Sequence, residues 1–365
     1  MTTFRRRVRQ AQSLVVVACA LGALSACAAP GNATNSAAKP GVANPDTRLD
    51  PRDVQGVSEA EQVPATTPIA RQVPPQLPVS LSDHGGTPVT VVDVSRIIAL
   101  DIYGTLANTV VGLGLGKNLV GRTPSNSSAD LAPLPLVTQN GHALNSEAIL
   151  ALRPTIVLTD SSIGPREVLD QLRASGVAVV FLDSTRSLAT VSPQIAAVAH
   201  ALGVDAAGHD LATRTQREVE NARAEITAMA PAEPRERMRM AFLYARGTGG
   251  VFFALGAGTG ATDLIEALGG VDASSIVGIV GVRPASSEAL LTLNPELILT
   301  MTNGLASTGG INGLMHRPGV GDTIAGQNRR VVHMDDGQIL SFGPQTAAIL
   351  RSLASAIYAP PVLEP

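Results

Sequence analysis

Cysteine is scarce in this chain: two residues, Cys19 and Cys27, among 365. That count excludes a disulfide scaffold and a cysteine-rich metal site. An excess of charge is missing too, with 27 Lys and Arg set against 30 Asp and Glu for a formal net charge of −3. No basic stripe is available to neutralise phosphates, which argues against a nucleic-acid binder. Only one apolar run approaches a membrane span, and it sits at the extreme N-terminus, which excludes a multi-span transporter. Tryptophan is absent and tyrosine occurs three times, so the place of each tyrosine is informative. What is present is 45% hydrophobic residues over a length that accommodates two domains or one large α/β unit.

Residues 1–27 read as an export signal closed by a lipid-attachment site. Arg5, Arg6, Arg7 and Arg9 form a positive n-region, and Leu14 to Leu24 form a short apolar h-region. The h-region ends in Leu24-Ser25-Ala26-Cys27, which is similar to a bacterial lipobox. There the small residues at 25 and 26 fit a peptidase groove and the Cys27 thiol becomes a diacylglyceryl thioether. An ordinary secretory signal with a cysteine near its cleavage point is the alternative. On the lipobox reading Cys19 is removed with the signal, and no disulfide forms. Two acyl chains, at about 0.8 kcal/mol per buried CH₂, then anchor the protein to the outer face of the cytoplasmic membrane. Residues 28–93, rich in Ala, Pro, Asn, Thr, Ser and Val with recurring Pro-Gly, Asn-Pro and Pro-Pro dipeptides, read as a disordered linker, with a short edge strand near Val89 to Val92.

From residue 94 short apolar strands alternate with helices, which predicts a parallel-sheet α/β lobe over 94–205. The strands are Arg96–Asp101, Leu119–Gly121, Thr155–Thr159 and Ala178–Leu182; the helices are Tyr103–Leu115, Asn145–Leu152 and Pro165–Ser175. Residues 206–235 hold a charged run of helix formers without Gly or Pro between Gly208 and Met229, predicting one long solvated helix that joins two lobes. The same grammar returns over 236–360, with strands at Met240–Tyr244, Leu297–Met301 and Arg330–His333 and helices at Thr262–Leu268, Ser287–Leu293 and Gln345–Tyr358. Asn145 to Thr159 aligns with Ser286 to Thr300 at a constant offset of 141 residues, matching Glu147 with Glu288, Leu152 with Leu293 and Pro154 with Pro295. Each copy is a capped short helix stopped by proline, followed by a buried strand. Two lobes of like fold with a helix between them make a cleft.

Catalytic motifs are missing. Gly112 to Lys117 is similar to a phosphate loop but lacks its first glycine and carries Asn118 in place of the magnesium-binding hydroxyl. Gly256-Ala-Gly-Thr-Gly260 has the wrong spacing for a dinucleotide loop, and no acidic residue follows at the required distance. No nucleophile elbow occurs, and Asp335-Asp336-Gly337 reads as a turn.

Taken together, the anchor, the two α/β lobes and the joining helix resemble the substrate-binding proteins of iron-complex and cobalamin ABC importers, and within them the haem-binding branch. The residues that carry the resemblance are Gln139-Asn-Gly-His142-Ala-Leu-Asn-Ser-Glu-Ala-Ile-Leu150, Gly164 to Arg173, Phe242-Leu-Tyr244-Ala-Arg246-Gly247, Thr302 to Gly313, Arg329 to Asp336 and Ser341-Phe-Gly-Pro344. The resemblance covers nearly all of 94–360. It implies two Rossmann-like lobes of the class III, cobalamin-binding-protein type, haem as transported ligand, no enzymatic activity and a monomer. It further implies delivery to an ABC permease and its ATPase. In the family the positions of Glu147 and Glu288 dock on permease arginines, one per lobe; by residue type alone they are first-turn helix stabilisers.

The chemistry of the ligand residues stands beside that resemblance. His142 follows a strand end, where loops of an α/β lobe face the cleft, and a neutral imidazole suits haem iron. A locally bonded surface histidine is the other reading. Tyr244 ends the first strand of the second lobe, and Arg246 lies two residues on, so both side chains point one way in an extended strand. A phenolate is a hard donor for ferric iron, and a neighbouring guanidinium favours the charged form. A strand-capping tyrosine beside a solvated arginine is the other reading. His142 and Tyr244 are therefore the expected axial ligands, with Arg246 in support. Tyr103, Met301 and Arg283 are candidate cleft lining; for the first two, core or edge packing is the favoured reading. In many relatives an aromatic residue precedes the pair Arg283-Pro284, and here it is Val282. A siderophore or cobalamin carrier of the same fold, an exported nucleotide-using enzyme and a non-transport surface protein remain open alternatives.

Overall fold

The computed structural model describes residues 50–69, 74–139 and 141–360. The signal and lipobox readings, with Cys27, lie outside the described residues, as do 28–49.

Four parallel strands form the amino-terminal sheet, in the order Leu119–Gly121, Ile97–Leu100, Ile156–Thr159, Ala178–Phe181. The two central strands are buried at every position, which is why they read as unbroken apolar runs: helices cover both faces of a parallel sheet. The carboxy-terminal sheet runs Val57–Glu59, Val331–Met334, Leu297–Met301, Arg239–Arg246, Val251–Leu255, Val282–Pro284. Its first four strands are parallel, while Val251–Leu255 and Val282–Pro284 add an antiparallel edge. The sequence pattern did not predict that edge, and it supplies one wall of the cleft. Alternation is explicit along Arg239–Arg246. Met240 and Phe242 join the core shared by the lobes, with Tyr244 packed beside them, whereas Ala241, Leu243 and Ala245 pack on the opposite face.

The internal repeat is visible as local geometry. The side chains of Asn145 and Ser286 accept the backbone N–H groups of Ala148 and Ala289 and so cap the helices Ser146–Ala151 and Ser287–Leu293, each cap contributing about 1 kcal/mol. Both copies leave the helix through a left-handed residue, Arg153 (φ 44°) and Asn294 (φ 35°), directly before the proline. Asparagine tolerates that conformation; arginine adopts it at a cost of about 1 kcal/mol.

A 25-residue helix, Asp205–Met229, joins the lobes. It is not wholly solvated: Ala207, Gly208, Leu211, Thr215, Ala222 and Ile226 form one buried stripe at helical spacing. It packs on the helices Val191–Ala201 and Thr346–Tyr358. Gly208 permits the first contact, since a Cβ there would stand 2.3 Å from the Ala199 Cβ.

The reading of 28–93 as a disordered linker is corrected from residue 50 onward. Val57–Glu59 adds a parallel strand to the edge of the carboxy-terminal sheet, with the N–H of Ala60 donating to His333 at 2.8 Å. The backbone of Val63 is bonded on both sides by Gln338. Further on, Val79–Ser82 and Pro88–Val91 form a hairpin on the amino-terminal lobe, where the N–H of His84 donates to Phe181. Composition undervalued this segment because its ordering entropy is offset by hydrogen bonds to an edge that already exists, and not by a core of its own.

Candidate functional site

The carboxyl ends of the two sheets face each other across a cavity of about 460 Å³, the position at which open α/β sheets bind ligands. From the amino-terminal lobe come Ile102 and Tyr103 after one strand, Ser125, Ser162 and Ser184 after the other three, and His142. The carboxy-terminal lobe contributes Tyr244, Arg246, Phe253, Leu255, Val282, Met301 and Asp336. His142, Tyr244, Arg246, Tyr103 and Met301 therefore meet in one cavity. Arg283 does not line it. Val282 pairs with Leu255 and Arg283 with Ala254, so strand alternation turns Val282 toward the cavity and the exposed Arg283 away from it.

His142 sits in the turn of a small hairpin between Thr138–Gln139 and Ala143–Leu144, a support that projects a side chain from the lobe surface. Partial burial, followed by the positive charge of Arg246, holds its pKa below the ordinary value, with Asp336 pulling the other way. The imidazole is thus kept neutral and available as a nitrogen donor. Across the cavity the Arg246 guanidinium carbon lies 5.1 Å from the centre of the Tyr244 ring, and Arg246 is ion-paired with Asp336. Burial lowers the Arg246 pKa, but the Asp336 carboxylate more than offsets this and raises it above the usual guanidinium value.

Beneath Tyr103 lies a charged base that sequence reasoning missed. Asp101 and Asp160 each close an apolar strand, and both accept from the Arg186 Nη2, at 3.2 and 2.5 Å. All three side chains are fully buried. The Arg186 guanidinium carbon is 4.9 Å from the centre of the Tyr103 ring, which fixes the ring from behind. Burial, then repulsion by Asp160, pushes Asp101 up to about 6. Burial likewise raises the Tyr103 phenol, which stays neutral. The signal available in the sequence was a carboxylate directly after a buried strand, twice.

Four other histidines have local neighbours, three of them through hydrogen bonds. His84 lies 4.0 Å from Asp183 and His200 3.1 Å from Asp205; His316 and His333 meet the Asn312 carbonyl and the Thr302 hydroxyl at 2.6 and 2.9 Å. Among the described residues no group of three or more His, Cys, Asp or Glu could hold a bare metal ion. The Gly256–Gly260 loop is a packing turn as expected: a Cβ at Gly256 would come within 2.3 Å of the Ile279 carbonyl. Its Gly258 and Thr259 also reach the cavity. Glu147 and Glu288 stand exposed in the first turns of their helices, one in each lobe.

A phenol and a guanidinium from one lobe, an imidazole from the other, and largely apolar walls form a donor set for a hard cation carried inside an apolar ligand. Comparison with known proteins agrees with that chemistry. The sequence profile of the periplasmic binding protein family matches residues 102–337. The crystal structure of the heme binding protein HmuT matches with 49% identity and a TM-score of 0.82, over 85% of this chain and 100% of that one. Variants of HmuT lacking one tyrosine, one arginine or one histidine match at 48% identity. The replaced tyrosine and arginine stand two positions apart. The periplasmic heme-binding protein RhuT from Roseiflexus sp. RS-1 matches with 35% identity and a TM-score of 0.64, over 73% of this chain and 98% of that one. BhuT, in complex with two hemes, matches with 31% identity and a TM-score of 0.61, over 72% and 98% of the two chains. No curated protein matches the sequence.

Proposed function

The chain belongs to the periplasmic binding protein family, a family of non-enzymatic transport components outside the cytoplasm, and on that premise we propose that it captures ferric haem in the cleft between its lobes. Heme-binding relatives at 31–49% identity support the ligand class. The single observation that carries the assignment is the convergence of His142, Tyr244 and Arg246 on one cavity from opposite lobes.

Each residue has a role in this reading. The Tyr244 phenolate is the hard oxygen donor to ferric iron, and Arg246 neutralises the negative charge that forms there. His142 supplies nitrogen to the other face of the porphyrin without first having to lose a proton at neutral pH. Tyr103, Phe253, Leu255, Val282 and Met301 offer apolar contact to the porphyrin, where each Å² removed from water contributes about 25 cal/mol. Because the two axial ligands belong to different lobes, ligation draws the lobes together around the ligand.

The finer reading is a lipoprotein anchored through Cys27, which hands haem to an ABC permease and its ATPase by way of Glu147 and Glu288. Exposure of both carboxylates on equivalent helices supports it. Absorbance titration of the lipid-free protein with hemin tests the ligand. A Soret band that shifts on binding, and whose position changes in Tyr244→Ala and in His142→Ala, is expected. If neither substitution alters the spectrum of bound hemin, the axial assignment is wrong. A protein that leaves hemin's spectrum untouched returns the choice to a siderophore or cobalamin carrier of the same fold.

A further inference from the structure

Asp336 has no role in the reading above, and Asp335-Asp336-Gly337 suggested only a turn. In the structure that turn is built as a mount. Asp336 accepts the backbone N–H of Asn303 at 2.8 Å through Oδ1 and holds the Nη2 of Arg246 through Oδ2. Asp335 accepts the Ser127 hydroxyl of the opposite lobe at 2.9 Å and the N–H of Gly337 at 3.0 Å. Gly337 presses so closely on the Ser125 carbonyl that a Cβ would come within 2.0 Å of its oxygen. The Asp336 carboxylate is therefore held by the carboxy-terminal lobe, on a turn that its two neighbours lock against the amino-terminal lobe.

Arg246 is what this mount grips. Its Nη2 serves Asp336 and lies 3.8 Å from the Met301 sulfur. Its plane lies by the Tyr244 ring. A free arginine side chain loses up to about 2 kcal/mol of rotamer entropy when ordered, and an unpaired guanidinium in a closing cleft carries a desolvation cost. Asp336 removes both penalties before any ligand arrives.

We propose that Asp336 is a positioning residue for ligand capture: it pins one end of the Arg246 guanidinium so that the remaining N–H groups are aimed at the Tyr244 oxygen when that oxygen binds iron. This rests on the haem reading and adds to it the origin of the arginine's orientation.

Asp336→Asn is the sharp test, because the amide can still accept the Asn303 N–H while its NH₂ group faces the Nη2 of Arg246, donor against donor. Loss of one charge-assisted bond is expected to weaken hemin binding roughly tenfold and to change the tyrosinate-to-iron charge-transfer band. In an Arg246→Ala background the same substitution is expected to change affinity less than about twofold, since a residue that acts through another loses its effect when that other is gone. Asp336→Glu, which keeps a carboxylate, is expected to keep the band, and thermal unfolding verifies that each variant is folded. An equal loss with and without Arg246, or an unchanged spectrum and affinity in Asp336→Asn, overturns the inference and leaves the haem reading standing. A wild-type protein that does not perturb the hemin spectrum removes the haem reading, and the inference with it.

Discussion

Replacing Asp101 by asparagine is expected to stabilise the protein at neutral pH, against the usual outcome of cutting a buried ion pair. Asp101 and Asp160 share one guanidinium, that of Arg186, so the cluster carries one negative charge in excess, and the Asp101 Oδ1 is buried without a partner. Burial and the Asp160 charge together outweigh Arg186 and raise the Asp101 pKa from 3.8 to about 6. A carboxyl whose folded pKa lies above its unfolded value binds its proton more tightly in the native state. Its contribution to stability is then greatest below pH 4 and is lost as pH rises through 6. A shift of about two units corresponds to about 3 kcal/mol, which is the upper bound on the relief at pH 7. Asparagine mimics the neutral acid: its oxygen can still accept the Thr105 N–H, now bonded at 3.0 Å, and Arg186 keeps Asp160. Urea unfolding of both proteins at pH 4, 5, 6 and 7 measures the difference directly. The variant is expected to gain 1–3 kcal/mol on the wild type between pH 4 and pH 7, in the order of magnitude just given. A variant less stable than the wild type by more than about 1 kcal/mol at pH 7, with a gap that does not change with pH, would instead make Arg186 attraction the dominant force on Asp101.

His142, whose pKa is depressed by burial and by Arg246, is expected to ligate iron still at pH 6.5, where an unperturbed imidazole is half protonated; a spectral pH titration of the hemin complex reads this, and loss of ligation above pH 6.5 contradicts it. Gly337→Ala is expected to destabilise the protein by about 2 kcal/mol, because its methyl group would meet the Ser125 carbonyl at 2.0 Å across the lobe contact; an unchanged thermal midpoint counts against that close approach. Charge reversal at both Glu147 and Glu288 is expected to leave hemin affinity intact and to abolish growth on hemin as sole iron source. Growth at the wild-type rate would remove these two carboxylates from permease docking.

How legible the site was varied with the kind of signal. Tyr244 and Arg246 could be placed on one face because a strand alternates with period two, and the structure has Ala245 buried between them on the other. His142 could be placed in a strand-end loop. Arg283 could not be oriented, because its strand exists only as a partner of Val251–Leu255, and no local pattern announces a three-residue edge. The segment beyond residue 50 was misread for the same reason: Val57–Glu59 is a strand only because Val331–Met334 offers it an edge. Asp336 was invisible as a site residue, since turn composition says nothing of what the turn grips.

The alternating α/β grammar, the 141-residue repeat with its caps, the long joining helix and the chemical types of the ligand candidates could all be read from the residues alone. These are consequences of local periodicity and of which side chains carry donor atoms. Which of them face one another is set by the packing of the two lobes. The cavity between the two sheets, the Asp101–Arg186–Asp160 base and the grip of Asp336 on Arg246 join residues from 26 to 90 or more positions apart. Such contacts depend on how whole sheets stack and close, and no window of sequence short enough to show a period contains both partners.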